Sequence, residues 1–166
     1  VSRENNAYAV QMSADEVKVA HTWSLLSESE RSDNWRISGV QHTAAHADSG
    51  RLYVLMHQGE PKTFQEPGTH VWVYDVHSGK RVQTIKLKEL GLSIGVSQGA
   101  QPRLYSLDFV VPMPYLATAW VYLNEGNDGI LRRLQQALNI YDGDSGEHLR
   151  TVNGLPYGYL NMVLPW

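Results

Sequence analysis

Histidine is the residue type best equipped for chemistry in this chain. There are seven, with His42 and His46 four apart and His57, His70 and His77 following. Histidines at that spacing chelate a metal when they share one face of a helix. The stretch 40–45 reads instead as a strand, which would set positions four apart ~13 Å from one another along the chain, and no Glu stands between the pair to act as a base. Structural or solvent-facing histidines account better for the pattern, so no metal ligand is assigned. Ser, His and Asp are all present, but there is no Gly-x-Ser-x-Gly elbow and no glycine-rich phosphate loop. Cysteine is absent, which removes a thiolate nucleophile, a disulfide framework and Cys-ligated zinc together. The remaining candidates are aromatic: Trp120, Tyr122, Tyr157, Tyr159 and Trp166 gather toward the end of the chain. Aromatic anchors of this kind mark partner interfaces, and equally serve core or seam packing.

These side chains must be positioned by a folded segment. Hydrophobic residues make up 42% of the chain and charged ones 19%, a balance that favours a packed domain over disorder. The formal charge of −3 provides no basic field for a nucleic acid backbone. The longest apolar stretch, 109–123, is broken by Pro112 and Pro114 and is shorter than the ~20 residues that span a bilayer. The opening Val1-Ser2-Arg3, without Met or an apolar signal core, reads as a mature, processed or truncated chain.

Alternating residues at 7–10 and 17–20, with polar Ser13 to Glu16 between, predict a strand pair. Ser27 followed three residues later by Glu30 is a capping-box pattern and predicts a short helix over 27–33. Segments 40–45, 51–57, 70–74 and 81–87 then read as four strands of one antiparallel sheet, punctuated by Asp48-Ser49-Gly50 and Ser78-Gly79. Two landmarks repeat. Arg51-Leu52-Tyr53 returns as Arg103-Leu104-Tyr105, 52 residues on, and Tyr74-Asp75 with Ser78-Gly79 returns as Tyr141-Asp142 with Ser145-Gly146, 67 residues on. Four strands in some 40 to 50 residues is the size of a propeller blade, and the second unit is 15 residues longer between its landmarks. The Asp-x-x-Ser-Gly element is expected to close a hairpin between outer strands, organising the fold without carrying chemistry.

The reading is therefore all-β, a partial arc of β-propeller blades: the end of one blade at 1–24, a full blade at 35–90, a last blade at 91–153 and a tail at 154–166. An arc leaves apolar blade faces and strand edges uncovered, so further blades on another chain or copy are expected to complete it.

The segment from Leu25 through Ser27, Glu28 and Glu30 to Trp35-Arg36 resembles the acidic helix and Gly-Trp-Arg-Pro-Gly-Gly signature of the methylamine dehydrogenase heavy subunit family. Gln41 with His46, then Asp48-Ser49-Gly50-Arg51-Leu52-Tyr53, is similar to the next part of its blade. Ser93-Ile94-Gly95-Val96-Ser97-Gln98 with Pro102 to Leu107, and Ile140-Tyr141-Asp142 with Ser145-Gly146 and Thr151, resemble its last blade. Ile37-Ser38 stands where the family has Pro-Gly. The stretch 108–137 also departs, replacing a tight hairpin with a longer loop and a segment whose apolar positions 130, 131, 134 and 138 have helical spacing. That insertion, with Arg132 and Arg133, reads as a decorated surface loop or a docking element.

The resemblance implies a seven-bladed-type propeller holding a small light subunit, whose tryptophan tryptophylquinone oxidises a primary amine to an aldehyde and ammonia in the periplasm. Electrons would pass to a copper protein or a cytochrome. The lack of cysteine fits the heavy role. The family's channel-lining residue falls in an earlier part of the propeller, so no catalytic, cofactor-binding or metal residue is carried over. Trp120, Tyr122, Arg132, Arg133, Tyr157 and Tyr159 are the candidate partner interface. The competing readings are a non-enzymatic surface-repeat propeller that binds protein or ligand, and an independent metal hydrolase, which would need stoichiometric zinc.

Overall fold

A computed structural model describes the backbone at residues 5–37, 43–46, 48–59, 68–88, 101–110, 115–125, 128 and 131–155, with side chains at these positions apart from 101–110, 121–125, 131–136 and 154–155. The described residues are almost entirely strand, arranged in three antiparallel sheets in chain order.

The first sheet is a ribbon of β1 (Asn6–Met12) and β2 (Val17–Ser24). A one-turn helix follows, α1 (Glu28–Ser32), and it starts for the reason the sequence gives: Ser27 Oγ accepts from the Glu30 N–H while Glu30 Oε2 accepts from the Ser27 N–H at 2.8 Å. The second sheet comprises β3 (Trp35–Ile37), β4 (Thr43–His46), β5 (Arg51–Gln58), β6 (His70–Asp75) and β7 (Arg81–Lys86). Two short strands share one edge of β5, with β3 opposite Met56 to Gln58 and β4 opposite Arg51 to Val54, so the sheet is four strands wide. The third sheet runs β8 (Gln101–Val110), β9 (Tyr115–Glu125), β10 (Leu131–Asp142) and β11 (His148–Leu155) as a plain meander. These are four-stranded propeller blades, and the first strands of the two, β4 and β8, come into contact.

The second sheet is covered on both sides, which explains why Tyr53 to His57 is buried without interruption. Successive side chains of a strand point to opposite faces. Tyr53, Leu55, Val71 and Val73 accordingly enter one core with Ile85, Leu87 and, from the third sheet, Leu116, Trp120, Ala137 and Tyr141. Val54, Met56, Trp72 and Tyr74 enter the other, with Ala7, Leu25 and Leu26 from the first sheet and its exit. Each core is a seam between neighbouring blades.

Two expectations are corrected. The described residues of 108–137 are strand and not loop or helix: β9 and the start of β10 occupy most of the stretch, Leu131, Leu134 and Leu138 lie on β10, and Ile130 falls outside the described residues. A three-to-four spacing over so few residues is overridden by pairing along β9, joined at Leu138 by β11. The Arg-Leu-Tyr repeat also fails as a structural repeat. Tyr53 lies opposite Val73, and the residue in the same place in the third sheet is Ala117, opposite Ile140; Arg103-Leu104-Tyr105 lies one strand earlier, on β8. A three-residue identity of strand-forming types suits any rung of a sheet, so the 52-residue spacing does not measure a blade.

Candidate functional site

The chemistry-bearing side chains meet at the two seams. The Tyr-Asp-x-x-Ser-Gly element builds both of them alike. In the second sheet Asp75 Oδ1 accepts from Ser78 N and Ser78 Oγ, each at 2.7 Å. Asp142 Oδ1 accepts from Ser145 N at 2.7 Å and Ser145 Oγ at 2.9 Å. The serine bonds hold both carboxyls below the ordinary carboxylate range. Gly79 and Gly146 take φ of +67° and +75°, the left-handed conformation that glycine adopts freely. Each glycine is pressed onto the outer strand of the preceding sheet. A β-carbon on Gly79 would sit 2.9 Å from Trp23 Cγ, and one on Gly146 2.7 Å from Ile85 Cγ1.

The tyrosines complete the contact. Tyr74 OH donates to the Leu25 carbonyl, just beyond β2. Tyr141 OH accepts from the Lys88 amide at 3.0 Å, just beyond β7. Burial pushes both phenols up from their usual range, so they stay protonated. The sequence marked these tyrosines as repeat landmarks and not as inter-blade contacts; the signal available was their fixed place ahead of a turn whose glycine has no room for a side chain.

Around this shared frame each seam has its own polar groups. At the first, Arg81 pairs with Glu30 at 2.7 Å while its guanidinium lies 4.0 Å over the Trp72 ring, which is itself 5.0 Å from Trp35. Burial acts to raise the Glu30 carboxyl, but bonds from Ser27 and Arg81 outweigh it and leave it lowered. At the second, Arg51 reaches Asp144 at 2.8 Å and Tyr53 OH donates to the Gly143 carbonyl at 3.1 Å. Thr118, Asn139 and Thr151, opposite one another across β9, β10 and β11, form a polar rung on the third sheet. Thr151 Oγ1 donates to Asn139 Oδ1 at 2.6 Å, and Trp120 Nε1 donates to Thr118 Oγ1 at 2.9 Å.

Of the candidate interface residues, Trp120 is the one whose side chain lies among those described. Trp120 is 5% exposed and belongs to the second seam. Tyr122 lies on β9, while Arg132 and Arg133 lie on β10 opposite Asn124 and Leu123. Tyr157 and Tyr159 fall outside the described residues. The histidines are dispersed: His21 stacks on Trp23, His46 Nδ1 meets Ser49 Oγ at 2.7 Å, His57 is buried, His70 packs edge-on against Trp35, and His148 contacts Thr151. His42 lies outside the described residues. Among the described residues no three His, Asp or Glu side chains gather as a metal site, and no helix is long and apolar enough to cross a membrane.

The arrangement is thus built for blade-to-blade assembly. Comparison with known proteins gives it a context. Residues 2–119 match the family described as methylamine dehydrogenase heavy chain. The chain is 35% identical to the methylamine dehydrogenase heavy chain of Paracoccus versutus over 133 residues, covering 80% of this chain and 26% of that one. It is 27% identical to the heavy chain of Methylorubrum extorquens over 151 residues, covering 91% and 31% respectively. With the heavy chain of Methylophilus methylotrophus it shares 34% identity over 104 residues, 63% of this chain and 26% of that one. The chain spans about a quarter to a third of the length of these relatives.

Proposed function

The chain belongs to the methylamine dehydrogenase heavy chain family, and from that premise we propose that it is a non-catalytic, scaffolding segment of the heavy subunit of a quinone-dependent amine dehydrogenase. The observation that carries the reading is the succession of blades joined by two like-built seams, the first of which lies within the stretch that the family matches. The partners on this reading are a light, quinone-bearing subunit, the remaining propeller blades on another chain or copy, and a copper protein or cytochrome as electron acceptor, all in the periplasm.

The quinone, when present on the light subunit, supplies the electron sink for amine oxidation; the surrounding protein fixes orientation and excludes water. Two of this chain's tryptophans, Trp72 and Trp120, are unsuited to that task. Trp72 is 3% exposed with a guanidinium over its ring, and Trp120 is buried with its indole N–H bonded to Thr118, so an amine has no approach to either. What the described residues supply is a rigid frame: apolar seams, fixed tyrosine bonds and hairpins anchored by Asp-Ser turns. Tyr122, Arg132, Arg133, Tyr157 and Tyr159 are proposed as positions at which a partner contacts the frame.

The test is to express the tagged chain with a light subunit and the rest of a heavy chain and to identify every co-purifying polypeptide. Recovery of a quinone-absorbing light chain in stoichiometric amount supports the reading. Assembly with unrelated proteins and no light chain would replace it with a non-enzymatic propeller.

A further inference from the structure

Asn153-Gly154 is the only place in the sequence where an asparagine is followed by glycine. It lies near the end of β11, at one side of the third sheet. The ladder is irregular there. Leu138 pairs with Val152 and Gln136 pairs with Leu155, so Asn153 and Gly154 together stand opposite Ala137 alone. That is a bulge of two residues against one, in which the extra residue leaves the regular hydrogen bonding of the ladder. Asn153 is exposed to solvent, while Ala137 across from it is buried in the second seam.

These features meet the needs of one reaction. The backbone nitrogen of the following residue can attack an asparagine side-chain amide only when that nitrogen is accessible and the backbone between them can leave the extended form. A regular strand opposes both, by holding ψ extended and by engaging its N–H groups in the ladder. The bulge relaxes the pairing, and glycine adds conformational freedom and removes the β-carbon that would crowd the approach. Other asparagines lack the combination: Asn139 is buried and precedes β-branched Ile140, and exposed Asn34 precedes Trp35.

We propose that Asn153 is a site of spontaneous covalent modification, in which the Gly154 nitrogen closes a succinimide ring on the Asn153 side chain. The new bond joins the Gly154 nitrogen to Asn153 Cγ; the Cγ–Nδ2 bond breaks, and the amide proton leaves with the departing nitrogen as ammonia. Water then opens the ring at either carbonyl, giving aspartate or isoaspartate. Overall, water is consumed and ammonia released, with no change of oxidation state. Either product places a carboxylate on β11, and isoaspartate also inserts a methylene into the main chain at the bulge, ahead of the Leu155–Gln136 pairing.

The experiment holds the purified chain, with the partners it retains, at mildly alkaline pH and follows the tryptic peptide 151–166 by mass spectrometry, beside the same chain unfolded in urea. A gain of about 1 Da at Asn153 is expected. Its rate should fall within about tenfold of the rate in urea, since a bulge protects little. Hydroxylamine, which cleaves succinimides, should cut the native chain between residues 153 and 154, and an isoaspartyl methyltransferase should label the aged chain. Gly154→Ala should slow the reaction by about tenfold or more, and Asn153→Gln should abolish the cut. The proposal is overturned if the native chain reacts more than about tenfold slower than the unfolded one, because the ladder would then lock the site. It is equally overturned if Asn34 reacts as fast as Asn153, or if the Gly154→Ala chain reacts at the wild-type rate.

Discussion

Tyr74 and Tyr141 occupy the same rung of successive blades, each immediately after the bulge of an outer hairpin, and each is bonded through its hydroxyl to backbone just past the outer strand of the blade before. One donates to a carbonyl and the other accepts from an amide, so the position is kept while the direction of the bond is not.

Removing these hydroxyls tests their worth. Tyr74→Phe leaves the Leu25 carbonyl without that donor, and Tyr141→Phe leaves the Lys88 amide without that acceptor. Each change is expected to cost about 1 to 2 kcal/mol in urea unfolding. Because the tyrosines serve different seams, the double variant should lose the sum.

The glycine seats should be less tolerant. Gly79→Ala and Gly146→Ala each place a β-carbon under 3 Å from a neighbouring side chain at a positive φ. A loss of about 1 to 3 kcal/mol is expected for each, read as a lowered melting temperature. Wild-type stability in either variant would mean that the turn does not press on the preceding strand.

Arg51 and Asp144 make a shorter contact than Tyr53 and the Gly143 carbonyl, yet the pair is half open to solvent, with side-chain exposures of 30% and 69%. Asp144→Asn should change stability by less than about 1 kcal/mol, and the change should shrink in high salt. Tyr53→Phe, losing a buried bond to the Gly143 carbonyl, should cost more than Asp144→Asn. The reverse order would contradict the seam described above.

The pH dependence follows from groups whose folded values are lowered. Asp75 and Asp142 lie below the ordinary 3.8 because of their serine bonds, so their contribution is complete above about pH 4 and is lost as acid titrates them through the lower folded value. His70 is lowered by burial and by the Lys86 charge; its neutral form is favoured on folding, and that contribution fades as pH falls below about 6.5. Melting temperature should therefore decline in two steps on acidification. Asp75→Asn with Asp142→Asn should flatten the lower step only.

Much of the second blade was legible because its strands are bounded by punctuation with a physical meaning. Asp48-Ser49-Gly50 and Ser78-Gly79 mark the turns, and the Ser27–Glu30 box marks α1, all of which the structure places where the residues indicate. The third blade was harder to read. β9 and β10 are long and alternate only loosely, and Leu131, Leu134 and Leu138 mimic a helical face that pairing of β10 with β9 cancels. β3 has three residues and exists because β5 offers it an edge, which no local pattern announces. Trp120 illustrates the limit for the candidate site, since an aromatic that anchors a partner and one that fills a seam have the same sequence signature, and burial alone separates them.

The second blade has no side of its own: every apolar residue it turns inward belongs to one neighbour or the other. A blade in that position transmits any disturbance, because loosening it uncovers both adjoining sheets at once. The described part of the molecule should therefore melt as a single unit, with the middle strands the last to exchange their amides and the first blade's ribbon the earliest to fray.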